Sequence, residues 1–125
     1  MVNVPEKQIL VVDDEMDVRV VLEKGLVAEG FSVILAENGN EGISMAKRMR
    51  PDVIILDRAL GDMLGEEVAA SLSGNDYTKH IPIIFISALF TKLEEIEMGC
   101  RFGGYRMFSK PYDMGLLIDE IRAII

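Results

Sequence analysis

Five short apolar runs, rich in β-branched residues, alternate along this chain with stretches whose apolar residues have helical spacing. The run at 53–56 (Val-Ile-Ile-Leu) is apolar at every position, as in strands that are buried on both faces of a sheet. Strands that alternate with helices pair in parallel and carry helices on both faces. The sequence therefore predicts a doubly wound α/β fold, a three-layer sandwich around five parallel strands. The strands are predicted at 9–12, 31–35, 53–56, 83–86 and 105–108, and the helices at 16–29, 41–49, 66–72, 91–102 and 114–124.

The length of 125 residues fits one compact domain, so a single domain over residues 1–125 is expected. Half of the residues are hydrophobic, which is enough to bury a core without disulfides or metal staples. Cys100 is the only cysteine and His80 the only histidine, so the chain can form neither an internal disulfide nor a Cys/His metal cluster. A reducing, cytoplasmic setting fits this cysteine usage.

Charge and hydropathy argue against two classes of partner. The net charge of −8 repels a phosphate backbone, so direct binding of nucleic acid is not expected. Residues 1–8 lack the apolar core of a signal peptide. Because no apolar run approaches the ~20 residues that a membrane helix needs, no membrane association is expected either.

Polar residues that carry chemistry stand at the ends of four predicted strands. Asp13 and Asp14 follow the first strand, Asp57 follows the third, Ser87 follows the fourth and Lys110 comes just after the fifth. The carboxyl ends of parallel strands lie along one edge of the sheet, where ligands bind at the point at which the strand order reverses. The sequence therefore predicts that three carboxylates, one hydroxyl and one ammonium meet at one site.

This set of groups suits phosphoryl transfer to an aspartate. Three clustered carboxylates repel one another unless a cation lies among them, and oxygen-only ligands favour Mg²⁺. Asp57 is central and can accept a phosphoryl group as an acyl phosphate. Mg²⁺ and Lys110 would stabilise the charge of the transferring group, and Ser87 can hydrogen-bond one of its oxygens.

Each of these residues also has a plainer interpretation. Asp13 or Asp14 can cap the first helix, since aspartate is a favoured N-cap, and Ser87 can cap the fourth. Lys110, followed by proline, can be an exposed turn. Cys100 is more often a small core residue than a redox centre. Only the whole set, in order and at the strand ends, favours the chemical interpretation.

Four segments of the chain resemble the receiver domains of two-component response regulators. The matching stretches are residues 9–15 (Ile-Leu-Val-Val-Asp-Asp-Glu), 51–57 (Pro-Asp-Val-Ile-Ile-Leu-Asp), 87–88 (Ser-Ala) and 109–112 (Ser-Lys-Pro-Tyr). The resemblance covers about residues 8 to 125. It implies a flavodoxin-like fold with strand order 2-1-3-4-5.

The resemblance also implies a site and its partners. Mg²⁺ would be bound by Asp14, Asp57 and the backbone carbonyl of Ala59, with Asp13 helping through water. Asp57 would receive its phosphoryl group from a histidine kinase or a histidine phosphotransfer protein, with Lys110 and Ser87 assisting. The domain would catalyse only its own phosphorylation and dephosphorylation, so it would be no enzyme on a separate substrate.

The signal would leave through the face of the fourth helix, fifth strand and fifth helix. A downstream output domain or protein and a phosphorylation-linked homodimer both remain open.

The chain departs from this family in three places. Met107 stands three positions before Lys110, where receivers usually carry an aromatic switch residue, and Tyr105 and Phe108 flank it in other registers. The interval from Ser87 to Lys110 is one residue longer than usual, which predicts an irregular end of the fourth helix around 99–104. In the loop after Asp57, Gly61 replaces the common proline and should loosen the loop.

Two further positions bear on how long the phosphoryl group stays. Ala59 and Leu89 lie two residues beyond the acceptor and the hydroxyl, where receivers often orient the attacking water. Neither side chain can orient water by hydrogen bonding, so slow self-dephosphorylation is predicted.

Two other classes of function compete with the phosphorylatable switch. A degenerate receiver that acts by contact alone would have lost its acidic pair, acceptor or lysine, and all are present here. A flavin carrier on this fold needs a Gly/Ser/Thr-rich phosphate loop after the first strand, where this chain carries three acidic residues. A phosphatase needs added cap segments, for which the chain has no length to spare.

Overall fold

The computed structural model of the protein describes residues 6–88, 92–97, 99, 101–102 and 104–125. Strands and helices alternate along it as the sequence predicts, except that two strands follow one another between the fourth and fifth helices. The strands are β1 (Gln8–Val12), β2 (Ser32–Ala36), β3 (Val53–Asp57), β4 (Ile83–Ser87), β5 (Arg101–Phe102) and β6 (Tyr105–Ser109). The helices are α1 (Met16–Ala28), α2 (Gly39–Met49), α3 (Gly65–Ser73), α4 (Lys92–Glu97) and α5 (Met114–Ile124).

All strands belong to one sheet with the order β2-β1-β3-β4-β6-β5. The first five in this order pair in parallel, and β6 takes the place of the predicted fifth strand. The predicted fold, a doubly wound sandwich with strand order 2-1-3-4-5, is therefore confirmed. The strand order reverses beside β1, so a crevice opens at the carboxyl ends of β1 and β3.

The fourth helix differs from its prediction. A helix over 91–102 is wrong at its C-terminal end, because α4 stops at Glu97 and Arg101–Phe102 forms the short strand β5 instead. β5 pairs antiparallel with β6 and adds an edge strand that the sequence did not predict. Glycine explains the break: Gly99 has φ 65 and Gly104 has φ 87, and this left-handed region suits glycine in place of a continuing helix.

The core lies in two clusters on opposite faces of the sheet. Ile54 and Leu56 of β3 point to the face covered by α2 and α3, while Val53 and Ile55 point to the face covered by α1 and α5. All four side chains are completely buried, as expected for a parallel strand with helices on both sides. Within the residues that the structure describes, no helix is long and apolar enough to span a bilayer.

Candidate functional site

The polar residues that the sequence placed at strand ends meet in one groove at the carboxyl edge of the sheet. Asp57 and Ser87 are the last residues of β3 and β4, and both are almost fully buried. Asp13 directly follows β1 and is fully buried, whereas Asp14 is exposed. The groove is lined by Asp14, Glu15, Asp57, Ala59, Ser87, Ala88 and Lys110.

Lys110 connects the strand ends electrostatically. Its Nζ lies 2.9 Å from Asp13 Oδ2, 3.2 Å from Asp57 Oδ2 and 3.4 Å from Glu15 Oε1. Its backbone N–H donates to the carbonyl of Ser87 at 3.0 Å, which fixes the chain after β6 against the end of β4. Burial alone would lower the pKa of Lys110, but the hydrogen bond and charge of Asp13 and the charge of Asp57 raise it above its usual value. The ammonium therefore stays charged.

The ionised form of Asp57 is disfavoured at this site. Burial of its carboxyl group, and after it the charge of Asp13, raises the pKa of Asp57 to about 6. Lys110 acts in the opposite direction through its charge and hydrogen bond, as does the backbone N–H of Ala59, which donates to Asp57 Oδ1 at 3.3 Å. One ammonium does not offset the negative charge, so the site favours a further cation.

Four carboxylates form the acidic part of the site. One oxygen each from Asp13, Asp14, Glu15 and Asp57 lie within 4.8 Å of one another, two of the residues being buried and two exposed. An oxygen-only donor set that is open to solvent on one side suits Mg²⁺, which keeps several of its waters when it binds. The residues present therefore fit a magnesium ion.

Glu15 belongs to this cluster although it was not among the predicted site residues. It lines the groove and contacts Lys110. Its place beside Asp13 and Asp14 was the available sequence signal. A side chain that is 60% exposed gives no pattern by which to separate it from an ordinary surface glutamate.

The loop from β1 to α1 is held by Asp13 itself. Its side chain accepts from the Glu15 N–H at 2.9 Å, and its backbone carbonyl accepts from Arg19 Nη1 at 2.7 Å. The N-cap of α1 is Glu15, which makes no side-chain cap hydrogen bond. Capping of α1 by Asp13 or Asp14 therefore does not explain the acidic pair.

The residues around the predicted switch position also have defined places. Met107 is completely buried in the core cluster of the α2/α3 face, opposite Phe85 in the register of β4 and β6. Tyr105 lies two residues earlier on that face, and its ring packs edge-on against Phe85 with centroids 5.5 Å apart. Phe108 points to the other face. Leu89 and Cys100 lie outside the described residues.

The loop between β3 and α3 closes on itself. Ala59 forms an antiparallel bridge with Leu64, and the Gly65 N–H donates to the carbonyl of Arg58 at 2.7 Å. Gly61 has φ 80, which proline cannot adopt, so glycine serves the turn here. The looser loop inferred from Gly61 stays a prediction about mobility.

Fold and site together define an α/β domain of the receiver class, in which an acidic cluster and a lysine meet at the strand switch point. Residues 9–122 match the response regulator receiver domain family. The chain therefore belongs to this family.

Known proteins bear out this assignment. Response regulator PleD of Caulobacter vibrioides is 37% identical over 118 residues, which are 94% of this chain and 26% of PleD, so the chain spans about a quarter of that relative. Chemotaxis protein CheY4 of Vibrio cholerae has a TM-score of 0.82 at 26% identity, covering 97% of this chain and all of CheY4.

A third protein shows the same fold at lower identity. The receiver domain of the sensor histidine kinase PA1611 from Pseudomonas aeruginosa has a TM-score of 0.82 at 22% identity, covering 96% of this chain and 98% of the other. That domain is described with a magnesium ion in its active site cleft.

Proposed function

We propose that residues 1–125 form a single response regulator receiver that accepts a phosphoryl group on Asp57. The donor would be a histidine kinase or a histidine phosphotransfer protein, and the reaction would require Mg²⁺. The observation that carries the proposal is the nearly buried Asp57 carboxylate, which lies 3.2 Å from Lys110 within a group of four carboxylates. Membership of the receiver family supports it.

Asp14 and Asp57 would hold the magnesium ion directly, with the Ala59 carbonyl as a third ligand and Asp13 acting through water. The ion would neutralise charge on the incoming phosphoryl oxygens. The division into direct and water-mediated ligands follows the resemblance to receiver domains, and the four clustered carboxylates and the magnesium described for PA1611 are consistent with it.

The chain's own residues account for the rest of the transfer. A carboxylate oxygen of Asp57 attacks phosphorus, the bond between phosphorus and the donor imidazole breaks, and its electron pair leaves with the imidazole nitrogen. With a pKa of about 6, Asp57 is mostly ionised at pH 7 and can act as the nucleophile. Lys110 is charged and near enough to pair with a phosphoryl oxygen, and Ser87 lies in the same groove to donate a hydrogen bond.

The domain would then act as a switch with no separate substrate. We place its output face on α4, β6 and α5, where Leu93, Ile96 and Leu116 are each at least 60% exposed. An output domain, an output protein or a second copy of the chain would bind this face. Because Met107 is buried where receivers usually carry the switch aromatic, Tyr105 is the ring on that face of β6 whose position would change.

Intact mass measurement tests the proposal. Incubation with acetyl phosphate and Mg²⁺ should add the mass of one phosphoryl group, and Asp57→Asn should abolish the gain. Asp76→Asn, which removes one exposed carboxylate outside the cluster of four, should gain the phosphoryl group like the wild type. No gain with any phosphodonor would support a receiver that acts by contact alone.

Phosphoryl lifetime is a separate proposal. Ala59 lines the groove without a hydrogen-bonding side chain, so we expect slow loss of the phosphoryl group. Decay of phosphorylated Asp57 within a few seconds in Mg²⁺ buffer would contradict this expectation.

A further inference from the structure

Asp62 connects the loop after the acceptor to a helix that is distant in sequence. Its carboxylate accepts the backbone N–H of Gly39 at 2.8 Å and that of Asn40 at 3.0 Å, at the N-terminus of α2. The next N–H, that of Glu41, is bound at 2.8 Å by the side chain of the N-cap residue Asn38. Two caps therefore share one helix end: Asn38 is local, and Asp62 comes from the loop between β3 and α3.

This loop also borders the acidic groove. It contains Ala59, which lines the groove, and Leu60, which is 2% exposed and anchors the loop in the core. A side chain on Gly61 would begin 4.0 Å from Asp14 Oδ2, so the Gly61 backbone runs beside that carboxylate. One side of the loop thus faces the proposed magnesium ligands, while Asp62 holds the other side to α2.

The start of α2 is shaped to receive the loop. A Cβ atom on Gly39 would overlap the side chain of Met63, the residue after Asp62. The absence of a side chain at Gly39 thus lets the loop lie directly on the helix end. A carboxylate is favoured at this place because it accepts charge-assisted hydrogen bonds and meets the positive end of the helix dipole.

We propose that Asp62 is a positioning residue for the magnesium site, acting through the loop that carries Ala59 and Gly61. The inference rests on the proposed function and deepens it. Asp62 does not touch the ion. Its two hydrogen bonds to α2 fix the position of the loop relative to Asp14 and Asp57. Contacts of this kind, outside the ligand set itself, orient the ligands of a metal ion.

The ionisation of Asp62 supports this role. The backbone N–H of Gly39, and after it that of Asn40, hold the pKa of Asp62 below its usual value. The carboxylate therefore stays charged near neutral pH, as charge-assisted hydrogen bonds to the N–H groups of α2 require.

The test compares wild type, Asp62→Ala, Asp62→Asn and Asn38→Ala in a Mg²⁺ titration followed by backbone amide shifts in NMR spectra. No phosphodonor is added, so the readout is binding and not phosphorylation. Asp62→Ala should raise the Mg²⁺ dissociation constant roughly tenfold, at the low end of losses for outer contacts to metal ligands. Asp62→Asn removes the same charge but keeps one acceptor oxygen, so its dissociation constant should lie between those of wild type and Asp62→Ala.

Asn38→Ala is the matched control, because it removes a cap from the same helix end without touching the loop. Its Mg²⁺ affinity should equal that of wild type. Three results would overturn the inference: wild-type affinity in Asp62→Ala, equal affinities in Asp62→Ala and Asp62→Asn, or equal loss in Asn38→Ala. If the wild-type protein itself binds no Mg²⁺, the magnesium-dependent function fails as well, so the two failures are distinguishable.

Discussion

Asp57 and Asp13 are two nearly buried carboxyl groups that share one ammonium, that of Lys110. This excess of negative charge suits a site that binds a further cation, and in the free protein it works against stability. The cost appears in the pKa of Asp57, which burial and the charge of Asp13 raise from 3.8 to about 6. A raised pKa means that folding favours the protonated form, so the ionised form reduces the free energy of unfolding.

The variant Asp57→Asn should therefore stabilise the magnesium-free protein at pH 7. Below about pH 4 the carboxyl group is protonated in both the folded and the unfolded state, and no penalty exists. As the pH rises from 3.8 to 6, the unfolded chain loses this proton before the folded one, so wild-type stability falls. At pH 7 the gain from asparagine should be on the order of 2–3 kcal/mol, from ~1.4 kcal/mol per pKa unit.

Urea unfolding in EDTA at several pH values measures this gain. The difference between Asp57→Asn and wild type should shrink as the pH falls from 7 towards 4. A difference that stays constant over this range would mean that the variant acts by packing and not by titration.

At the scale of elements, close backbone contacts position Asp57, and glycines permit these contacts. Gly65 begins α3 directly against the end of β3, where a Cβ atom would overlap the backbone carbonyl of Asp57 and lie 3.0 Å from the Cα of Arg58. The short loop can thus return to the sheet directly behind Asp57. The sequence predicted this helix to within one residue at each end, but the close approach is visible only in three dimensions.

Gly65→Ala should destabilise the protein by about 1–3 kcal/mol, because backbone atoms of β3 cannot move aside as a flexible side chain can. Gly74→Ala, at the other end of α3, is the control: Gly74 has φ −86, and an added Cβ would lie 3.5 Å from the nearest carbonyl oxygen. Thermal unfolding should show Gly74→Ala close to wild type. Equal losses in both variants would contradict the steric explanation.

How accurately the sequence predicts each helix or strand depends on whether the residues that determine it are close together in the sequence. The core strand β3 was predicted to within one residue, because burial on both faces leaves an uninterrupted apolar run. The segment around Gly99 and Gly104 was read as the end of a helix, because a two-residue strand has no periodicity. α2 starts at Gly39, two residues before its prediction; its N-cap Asn38 is local, but its first two N–H groups donate to Asp62, which lies 23 residues away from Gly39.

At the scale of the whole molecule, the parallel sheet brings polar residues from four strand ends together at one edge. Residues 13, 57, 87 and 110 could be assigned to that edge from the alternation of strands and helices alone. The distances between these residues and the contact of Glu15 with Lys110 could not be predicted from the sequence, because side-chain placement depends on packing from both faces of the sheet. Roles such as acceptor and ligand followed from chemistry and resemblance, and they stand as proposals for experiment.

Magnesium should stabilise the whole fold through this one edge. An ion that binds only the folded state adds RT ln(1 + [Mg²⁺]/Kd), about 2.7 kcal/mol at a hundredfold excess over Kd, which raises the melting temperature by several degrees. The net charge of −8 means that any salt relieves some general repulsion, so NaCl at equal ionic strength is the necessary comparison.

In Asp14→Asn, Mg²⁺ should raise the melting temperature no more than NaCl does at equal ionic strength. Asp17→Asn, an equal change of charge at an exposed position in the first turn of α1, should keep the wild-type response to Mg²⁺. If both variants respond to Mg²⁺ alike, the ion acts on the net charge of the molecule and the four carboxylates do not form its site. If only Asp14→Asn fails to respond, the cation has a defined place at the carboxyl edge of the sheet. The electrostatic strain around Asp57 is then relieved by binding, so the ion that we propose for phosphoryl transfer would also stabilise the fold.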